Sequence, residues 1–308
     1  MIKKTVLLII LVLIFFHKLS FAEIKILVSI DDEIITNHDI KKESNYLEIL
    51  NPNFIKLNNN QKLNIAKSYL IDQIIKDKET KKFIKIKKDK QIIDDYLKNL
   101  YLELGFNSEI EFKNLLEQKK NYDLSEVKEK IMKELLWNEL IYLRYKNQVK
   151  VNKEKILLKV NQMQANTKKE YLLSEILFTK KKDITIKKLF EEIKLSIQEI
   201  GFNNTANIFS NSDSAKFGGK IGWISEISLS EKIKEKLENK KKGDYTDFIK
   251  LGNNFLILKI EDINIKKSTI NKQKEIEKLI NLETNTQLNK FSKIYFNKVK
   301  LNYTINEK

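Results

Sequence analysis

Apolar residues recur every three or four positions through most of residues 61–147, which is the spacing of amphipathic helices. Two stripes stand out, formed by Leu63, Ala66, Leu70, Ile74 and Ile75 and then by Ile92, Tyr96 and Leu100. Gly105 ends the second stripe, as glycine commonly does at the end of a helix. We therefore expect a helical module in which these stripes form the core.

Two short polar patterns mark where helices begin. Thr36 is followed three residues later by Asp39, which is typical of a helix N-cap with an acidic partner in the first turn. Asp123 and Glu126 have the same spacing and resemble a capping box. The second cap predicts a helix whose inward residues are Val127, Ile131, Leu135 and Trp137–Leu140.

The pattern changes after residue 165. Six of the seven glycines lie in residues 201–252. Strand-like pieces at Tyr171–Phe178 and Asn254–Ile260 flank a helical stretch, Ile186–Ile200. Strand, helix, glycine-rich turn, short helix and strand in this order predict a compact α+β insert.

A helical pattern returns beyond Ile263 and the chain then alternates like a strand. Its apolar positions are Ile276, Leu279, Ile280, Leu288, Phe291 and Ile294. The alternating segment is Lys300–Ile305. We therefore expect the fold class α+β, with a mostly helical module, one insert, and a closing helix and strand.

The first 22 residues have the features of a cleavable secretory signal peptide. Lys3 and Lys4 precede the apolar run Thr5–Phe16, and Ser20–Ala22 supplies small residues for cleavage. An uncleaved anchor is the alternative, but crossing a bilayer takes about 17–25 apolar residues. His17 ends the run too early for that. We expect export, with no stable membrane insertion after cleavage.

The amino-acid composition excludes cysteine chemistry and weakens the case for a basic surface or nucleic-acid binder. The chain has no cysteine, which excludes disulfides, thiolate nucleophiles and cysteine-ligated metals. Its net charge of +16 admits a basic surface or nucleic-acid binder. Arg144 is the only arginine, however, so the preferred side chain for phosphate and base recognition is almost absent. A solvated lysine-rich surface explains the charge better.

The insert resembles a parvulin-type (PpiC, rotamase) prolyl isomerase domain. The residues that carry the resemblance are Ser174–Phe178, then Phe202, Ala206 and Ser210, then Gly218–Trp223, Lys242–Asp244 and the closing strand Asn254–Ile260. A phosphate-binding glycine loop would open a helix, whereas Trp223 and Ile224 have an extended pattern. The order of five elements makes the resemblance fairly specific.

The flanks resemble the SurA-like family of periplasmic chaperones. Residues 26–40 are similar to that family's opening strand and helix. The resemblance implies a signal peptide at 1–22, a chaperone module at 23–165, a parvulin-like domain at 168–264, and residues 265–308 packing back on the module.

The parvulin resemblance also implies a site. Positions that match the family's facing histidines hold Glu175 and Leu256, and Asp213 falls near its acidic or thiol position. Glu175 alternates with Leu173 and Leu177 and should share their face of the sheet. The resemblance implies a substrate-binding surface made of Ile221, Leu229, Ile233 and Phe255.

These features lead to two functional hypotheses. The first is a periplasmic chaperone for unfolded or extended polypeptides, outer-membrane proteins among them, with isomerase activity weak or lost. The second is an active isomerase with a histidine-free pocket. His38 lies far from the parvulin-like domain in sequence, and we interpret it as an ordinary polar residue at a helix start. Neither hypothesis requires a metal or a cofactor.

Overall fold

The computed structural model describes residues 24–85, 89–119, 122–161, 168–180, 184–266 and 271–308. The predicted signal peptide, residues 1–22, lies outside these residues. The helices are α1 Asn37–Leu50, α2 Asn59–Phe83, α3 Lys90–Glu103, α4 Glu109–Gln118, α5 Leu124–Tyr145, α6 Lys153–Asn161, α7 Ile186–Ile200, α8 Phe202–Phe209, α9 Glu231–Leu237 and α10 Lys272–Lys300. The strands are β1 Ile26–Ile30, β2 Glu33–Thr36, β3 Lys168–Thr179, β4 Lys220–Ser225, β5 Ile249–Leu251, β6 Asn254–Lys266 and β7 Ile305–Glu307.

Helices α1–α5 form the helical module, and their ends follow the predicted capping signals. Thr36 and Asp39 form a reciprocal capping box at the start of α1. Asp123 and Glu126 do the same at the start of α5. A cap satisfies backbone N–H groups that a helix leaves unpaired, so it fixes the starting residue locally.

The prediction of an inward stripe on α3 was wrong for two of its three residues, since Leu100 alone of the three packs against the core. Ile92 and Tyr96 are 42% and 52% exposed, whereas Leu97 and Tyr101 are buried. The helix carries apolar residues on more than one face, and packing against α5 selects the face that contains Leu97. Periodicity alone does not determine that choice.

The end of the chain closes the helical module. β7 pairs antiparallel with β1, placing Ile305 opposite Ile30 in a sheet of order β2-β1-β7. α10 packs against α5, α6 and α2. The helical prediction for this region is confirmed, but the strand begins at Ile305 rather than Lys300, because α10 continues through Lys300.

A buried carboxylate of α2 binds side chains of α10 and of the residues that follow it. Glu79 accepts hydrogen bonds from the Tyr295 hydroxyl at 2.5 Å, the Tyr303 hydroxyl at 3.2 Å and the Lys82 amine at 2.8 Å. Burial alone would raise the pKa of Glu79, but the hydrogen bonds from Lys82 and Tyr295 outweigh it and lower the pKa.

We expect this contact to make stability acid-sensitive. With its pKa lowered on folding, Glu79 contributes stability above its ordinary pKa of 4.5, and the contribution is lost as pH falls through the folded value. Glu79→Gln should lower the free energy of unfolding by about 1–3 kcal/mol at neutral pH. In urea unfolding between pH 3 and pH 7, the free energy of unfolding of this variant should also fall less steeply as the pH decreases. The exposed Glu235→Gln is the control. If the free energy of unfolding of Glu79→Gln depended on pH as it does in the unmodified protein, Glu79 would not be the source of the acid sensitivity.

The α/β insert, residues 168–266, is a four-stranded antiparallel sheet of order β4-β3-β6-β5. Alternate residues of β3 and β6 pack on opposite faces. Tyr171, Leu173 and Leu256 lie on one face with Leu229 and Leu237. The other face is covered by α7 and α8 and contains Ile176, Phe178, Leu189, Phe202 and Ile257.

The predicted fold class is confirmed. The chain is α+β, mostly helical, with one compact α/β insert. The domain boundaries stay predictions. In the part of the chain that the structure describes, no helix has both the length and the apolar character that a membrane span requires.

Candidate functional site

Glu175 occupies the middle of β3, one of the two central strands of the insert. It lies directly opposite Leu258 of β6, while Leu173 and Leu177 pair with Ile260 and Leu256. Directly opposed residues share a face of the sheet. Glu175 therefore points to the same side as Leu173 and Leu177, as the alternation predicted.

Two serine hydroxyls donate to one oxygen of the Glu175 carboxylate. The Ser212 hydroxyl donates to Glu175 Oε1 at 2.5 Å, and the Ser214 hydroxyl donates to the same oxygen at 3.0 Å. Both serines lie at the turn Asp213–Phe217, where Ser212 also caps the first residues. A carboxylate among apolar neighbours is costly unless it is hydrogen-bonded, and these hydroxyls supply the bonds.

Gly219 allows this turn to approach β3 closely. Its carbonyl accepts from the Glu175 N–H at 2.7 Å. Its φ is +80°, and a Cβ at this position would lie 2.3 Å from the Glu175 carbonyl oxygen. Only glycine fits, so Gly219 fixes the distance between Glu175 and the serine turn.

Four of the predicted apolar site residues share one face of the sheet. Leu256 and Leu229 are buried there, with Ile221 and Ile233 partly buried beside them. Phe255 is the exception, since it packs on the opposite face against Phe178 and Phe248 with ring centroids 5.8 and 5.6 Å apart. Neighbours along a strand point to opposite faces, so Phe255 cannot share a surface with Leu256.

Asp213 does not join Glu175. Its side chain is 78% exposed and lies 3.5 Å from the Lys76 amine of α2. The flanking Ser212 and Ser214 point to Glu175 instead. The structure thus places Asp213 at the junction between the insert and the helical module.

A cleft of about 2730 Å³ separates the sheet face of the insert from the helical module and α10. Glu175, Asp213, Leu256, Ile221 and Ile233 line it; Leu229 and Phe255 do not. Four exposed apolar side chains also line the cleft, namely Ile208, Trp223, Leu251 and Ile294.

Mostly polar contacts join the insert to the helical module at one end of the cleft. The Asn51 side-chain amide donates to Asn207 Oδ1 at 2.6 Å, and both residues are buried. Lys216 forms an ion pair with Glu134 of α5. Phe217 packs on the core of the helical module. These contacts place the Glu175 face opposite α10.

Lys293 lines the cleft from α10. Its Nζ is buried, and no hydrogen-bond partner is found for it among the described residues. Burial lowers the pKa of Lys293, while the Asp213 and Glu175 carboxylates act in the opposite direction. The site therefore combines a serine-bonded carboxylate on one wall with an unpaired amine on the other.

Sequence reasoning missed Ser212, Ser214 and Lys293. The two serines lie 37 and 39 residues from Glu175, and only the fold brings them together. Their flanking sequence, Ser210–Ser214, is rich in turn-forming residues and could have suggested a hydroxyl-lined turn. Lys293 is one lysine in a lysine-rich helix, and nothing local distinguishes it.

Comparison with known proteins identifies the insert. Residues 156–262 match the family model described as "Rotamase: PPIC-type PPIASE domain". No curated protein matches the chain significantly.

Solved structures give weaker similarities. PrsA from Bacillus subtilis is 19% identical, with 89% of this chain and 91% of that chain covered and a TM-score of 0.30. A structure reported for two SurA-like chaperones of Campylobacter jejuni is 15% identical, with 92% and 98% covered and a TM-score of 0.33. These TM-scores are too low to establish a shared arrangement. The family match covers β3, β4, β5, the serine turn and most of β6. It shows that residues 156–262 belong to the PpiC-type, or parvulin, peptidyl-prolyl isomerase domain family.

Proposed function

We propose that this protein is a chaperone that holds unfolded, extended polypeptides in the cleft between its PpiC-type domain and its helical module. The observation that carries the proposal is the cleft itself. Its volume of about 2730 Å³ exceeds the roughly 300–1,000 Å³ of small-molecule pockets and suits a polypeptide segment.

The cleft lining supports binding of apolar segments. Trp223 and Leu251 are 44% and 37% exposed, and Ile208 and Ile294 are also exposed. Exposed apolar side chains gathered in one concave surface are typical of an interaction site. A client containing aromatic and aliphatic side chains would bury them on binding, which is favourable in proportion to the area covered.

The compartment and clients are part of the same proposal. We propose that residues 1–22 direct export, that the protein works in the periplasm, and that its clients include unfolded outer-membrane proteins. The signal-like pattern of residues 1–22 and the SurA-like opening at residues 26–40 support this. The absence of cysteine suits an oxidising compartment.

Prolyl isomerisation is the second candidate function, favoured by the PpiC-type family match. Rotation about a peptide bond has a barrier of about 18–20 kcal/mol, which a catalyst lowers by holding the twisted amide and stabilising its altered carbonyl and nitrogen. Here Glu175 and Leu256 stand where we place the family's histidines. We propose that the catalysis is weak or lost, because polar groups that orient the reacting amide contribute orders of magnitude.

Two assays on one preparation of the chain without residues 1–22 separate these functions. An outer-membrane β-barrel protein is diluted from urea and its aggregation is followed by light scattering. A second protein, whose refolding is limited by prolyl isomerisation over tens to hundreds of seconds, is followed by fluorescence. We expect suppressed aggregation and an unaccelerated refolding rate.

Paired variants locate the binding surface. Trp223→Ser with Leu251→Ser removes exposed apolar groups inside the cleft, and should weaken the suppression at least several-fold. Ile110→Ser with Leu143→Ser removes exposed apolar groups outside it and serves as the matched control. No suppression by the unmodified protein at several-fold molar excess would rule out the chaperone function. Strong acceleration of refolding would make the protein an active isomerase.

A further inference from the structure

Lys293 occupies a fixed position in the cleft wall. The neighbouring Ser292 accepts a hydrogen bond from the Trp137 indole N–H at 2.9 Å, and Tyr295 stacks on Trp137 with centroids 5.8 Å apart. Both contacts are buried, so they hold this part of α10 against α5. The orientation of Lys293 toward the PpiC-type domain therefore follows from packing.

Two other buried amines in the part of the chain that the structure describes are paired. Lys130 donates to Glu43 at 2.7 Å and to Gln73 at 2.8 Å. Lys216 forms its ion pair with Glu134. Lys293 has no such partner among the described residues, although its Nζ is also buried. An amine removed from water without an acceptor costs free energy, which makes Lys293 unfavourable for the fold alone.

The surroundings select the kind of group that would pair with this amine. Lys293 experiences the negative charges of Asp213 and Glu175 across the cleft. A further carboxylate entering here would be attracted by the amine but repelled by both of these carboxylates. A neutral oxygen acceptor would not be repelled, and the backbone carbonyl of a bound polypeptide is such an acceptor.

The opposite wall offers the complementary group. Both serine hydroxyls donate to Glu175 Oε1, which leaves Oε2 without a hydrogen bond from the described residues. A carboxylate oxygen accepts a backbone N–H readily, and charge-assisted bonds of this kind are stronger than neutral ones. Donor and acceptor thus face each other across the space available to an extended chain.

We propose that Lys293 and Glu175 form a backbone clamp in which Lys293 donates to a client's peptide carbonyl and Glu175 accepts a nearby client N–H. The clamp rests on the proposed chaperone function and specifies how the protein recognises its clients. It recognises the backbone of an extended chain, so it selects for the unfolded state and tolerates many sequences. The exposed apolar groups of the cleft then supply the remaining affinity.

A peptide-binding assay with the chain lacking residues 1–22 tests the clamp. The probe is a fluorescein-labelled ten-residue peptide with blocked ends, no charged side chains, one Ala-Pro bond and two aromatic residues. We expect Lys293→Met to weaken binding about ten-fold or more, as the loss of a hydrogen bond to a charged donor implies. Lys278→Met, an exposed lysine of the same helix outside the cleft, should bind like the unmodified protein.

The melting temperature provides a second readout that separates binding from structure. Lys293→Met removes an unpaired buried charge, so its melting temperature should equal or exceed that of the unmodified protein. A clear drop would show that Lys293 supports the fold and would overturn the clamp. Unchanged peptide affinity in Lys293→Met would also overturn it.

Two further outcomes are decisive. If Lys293→Met weakens only a matched peptide that contains aspartate, the amine recognises a carboxylate and the backbone clamp is wrong. If the unmodified protein neither binds the peptide nor suppresses aggregation, the chaperone function itself fails. Suppressed aggregation together with equal peptide affinity in both proteins would leave that function standing and reject only the clamp.

Discussion

Replacing Gly219 by alanine should lower the free energy of unfolding of the PpiC-type domain by about 2–5 kcal/mol. Two penalties add. The φ of +80° disfavours any side chain, and the new Cβ would lie 2.3 Å from the Glu175 carbonyl oxygen and 3.0 Å from the Ala206 Cβ. The first contact is with backbone and cannot be relieved by a rotamer change. The serine turn would have to move away from Glu175.

Gly222→Ala is the matched control. Gly222 has a φ of +82°, but nothing lies within 4 Å of a Cβ built there. This variant should lose about 1–2 kcal/mol, from backbone strain alone. Urea unfolding monitored by Trp223 fluorescence, with Trp137→Phe in every variant, measures the difference within the domain. Equal losses in the two variants would show that the close approach at Gly219 is not needed.

Lys130→Met should destabilise the helical module by about 3–5 kcal/mol, because it leaves a buried carboxylate without its cation. Glu43 is 1% exposed and receives the Lys130 amine at 2.7 Å and the Tyr122 hydroxyl at 2.7 Å. The Lys130 amine also donates to Gln73, so the cluster joins α1, α2 and α5. Burial lowers the pKa of Lys130 while the Glu43 carboxylate opposes that shift.

The double variant Glu43→Leu with Lys130→Met provides the control. It removes both charges, so no uncompensated charge remains, and most of the lost stability should return. Tyr122 is half-buried, so its hydroxyl can turn to water when Glu43 is replaced. Urea unfolding of the two single variants and the double variant gives the interaction energy. Additive losses would mean that Glu43 and Lys130 do not depend on each other.

Local signals were sufficient for part of the fold. Thr36, Asp39, Asp123 and Glu126 identified two helix starts, because a cap is a contact within four residues of sequence. The strand alternation placed Glu175 correctly for a similar reason. The prediction of the buried face of α3 was incomplete, because a helix with several apolar faces buries the one that its partner helix contacts.

The site was less accessible to sequence reasoning. Phe255 was assigned by resemblance to one surface with Ile221, Leu229 and Ile233. Those three residues lie on the same face of the sheet as Leu256, and the adjacent Phe255 points to the other face. Ser212 and Lys293 become recognisable only when the chain folds, since distant segments bring Ser212 into contact with Glu175 and Lys293 to the facing wall of the cleft. Their roles depend on burial, which a lysine-rich sequence does not encode locally.

Site-specific crosslinking tests the central claim, that clients bind in the cleft, most directly. The chain has no cysteine, so single cysteines can be introduced and labelled with a photoreactive maleimide. Trp223→Cys and Ile294→Cys place the label in the cleft, and Ile110→Cys and Leu143→Cys place it on exposed sites outside. With an unfolded β-barrel client present, the two cleft positions should crosslink strongly and the two outer positions weakly. Equal crosslinking from all four positions, or stronger crosslinking from outside, would contradict the account.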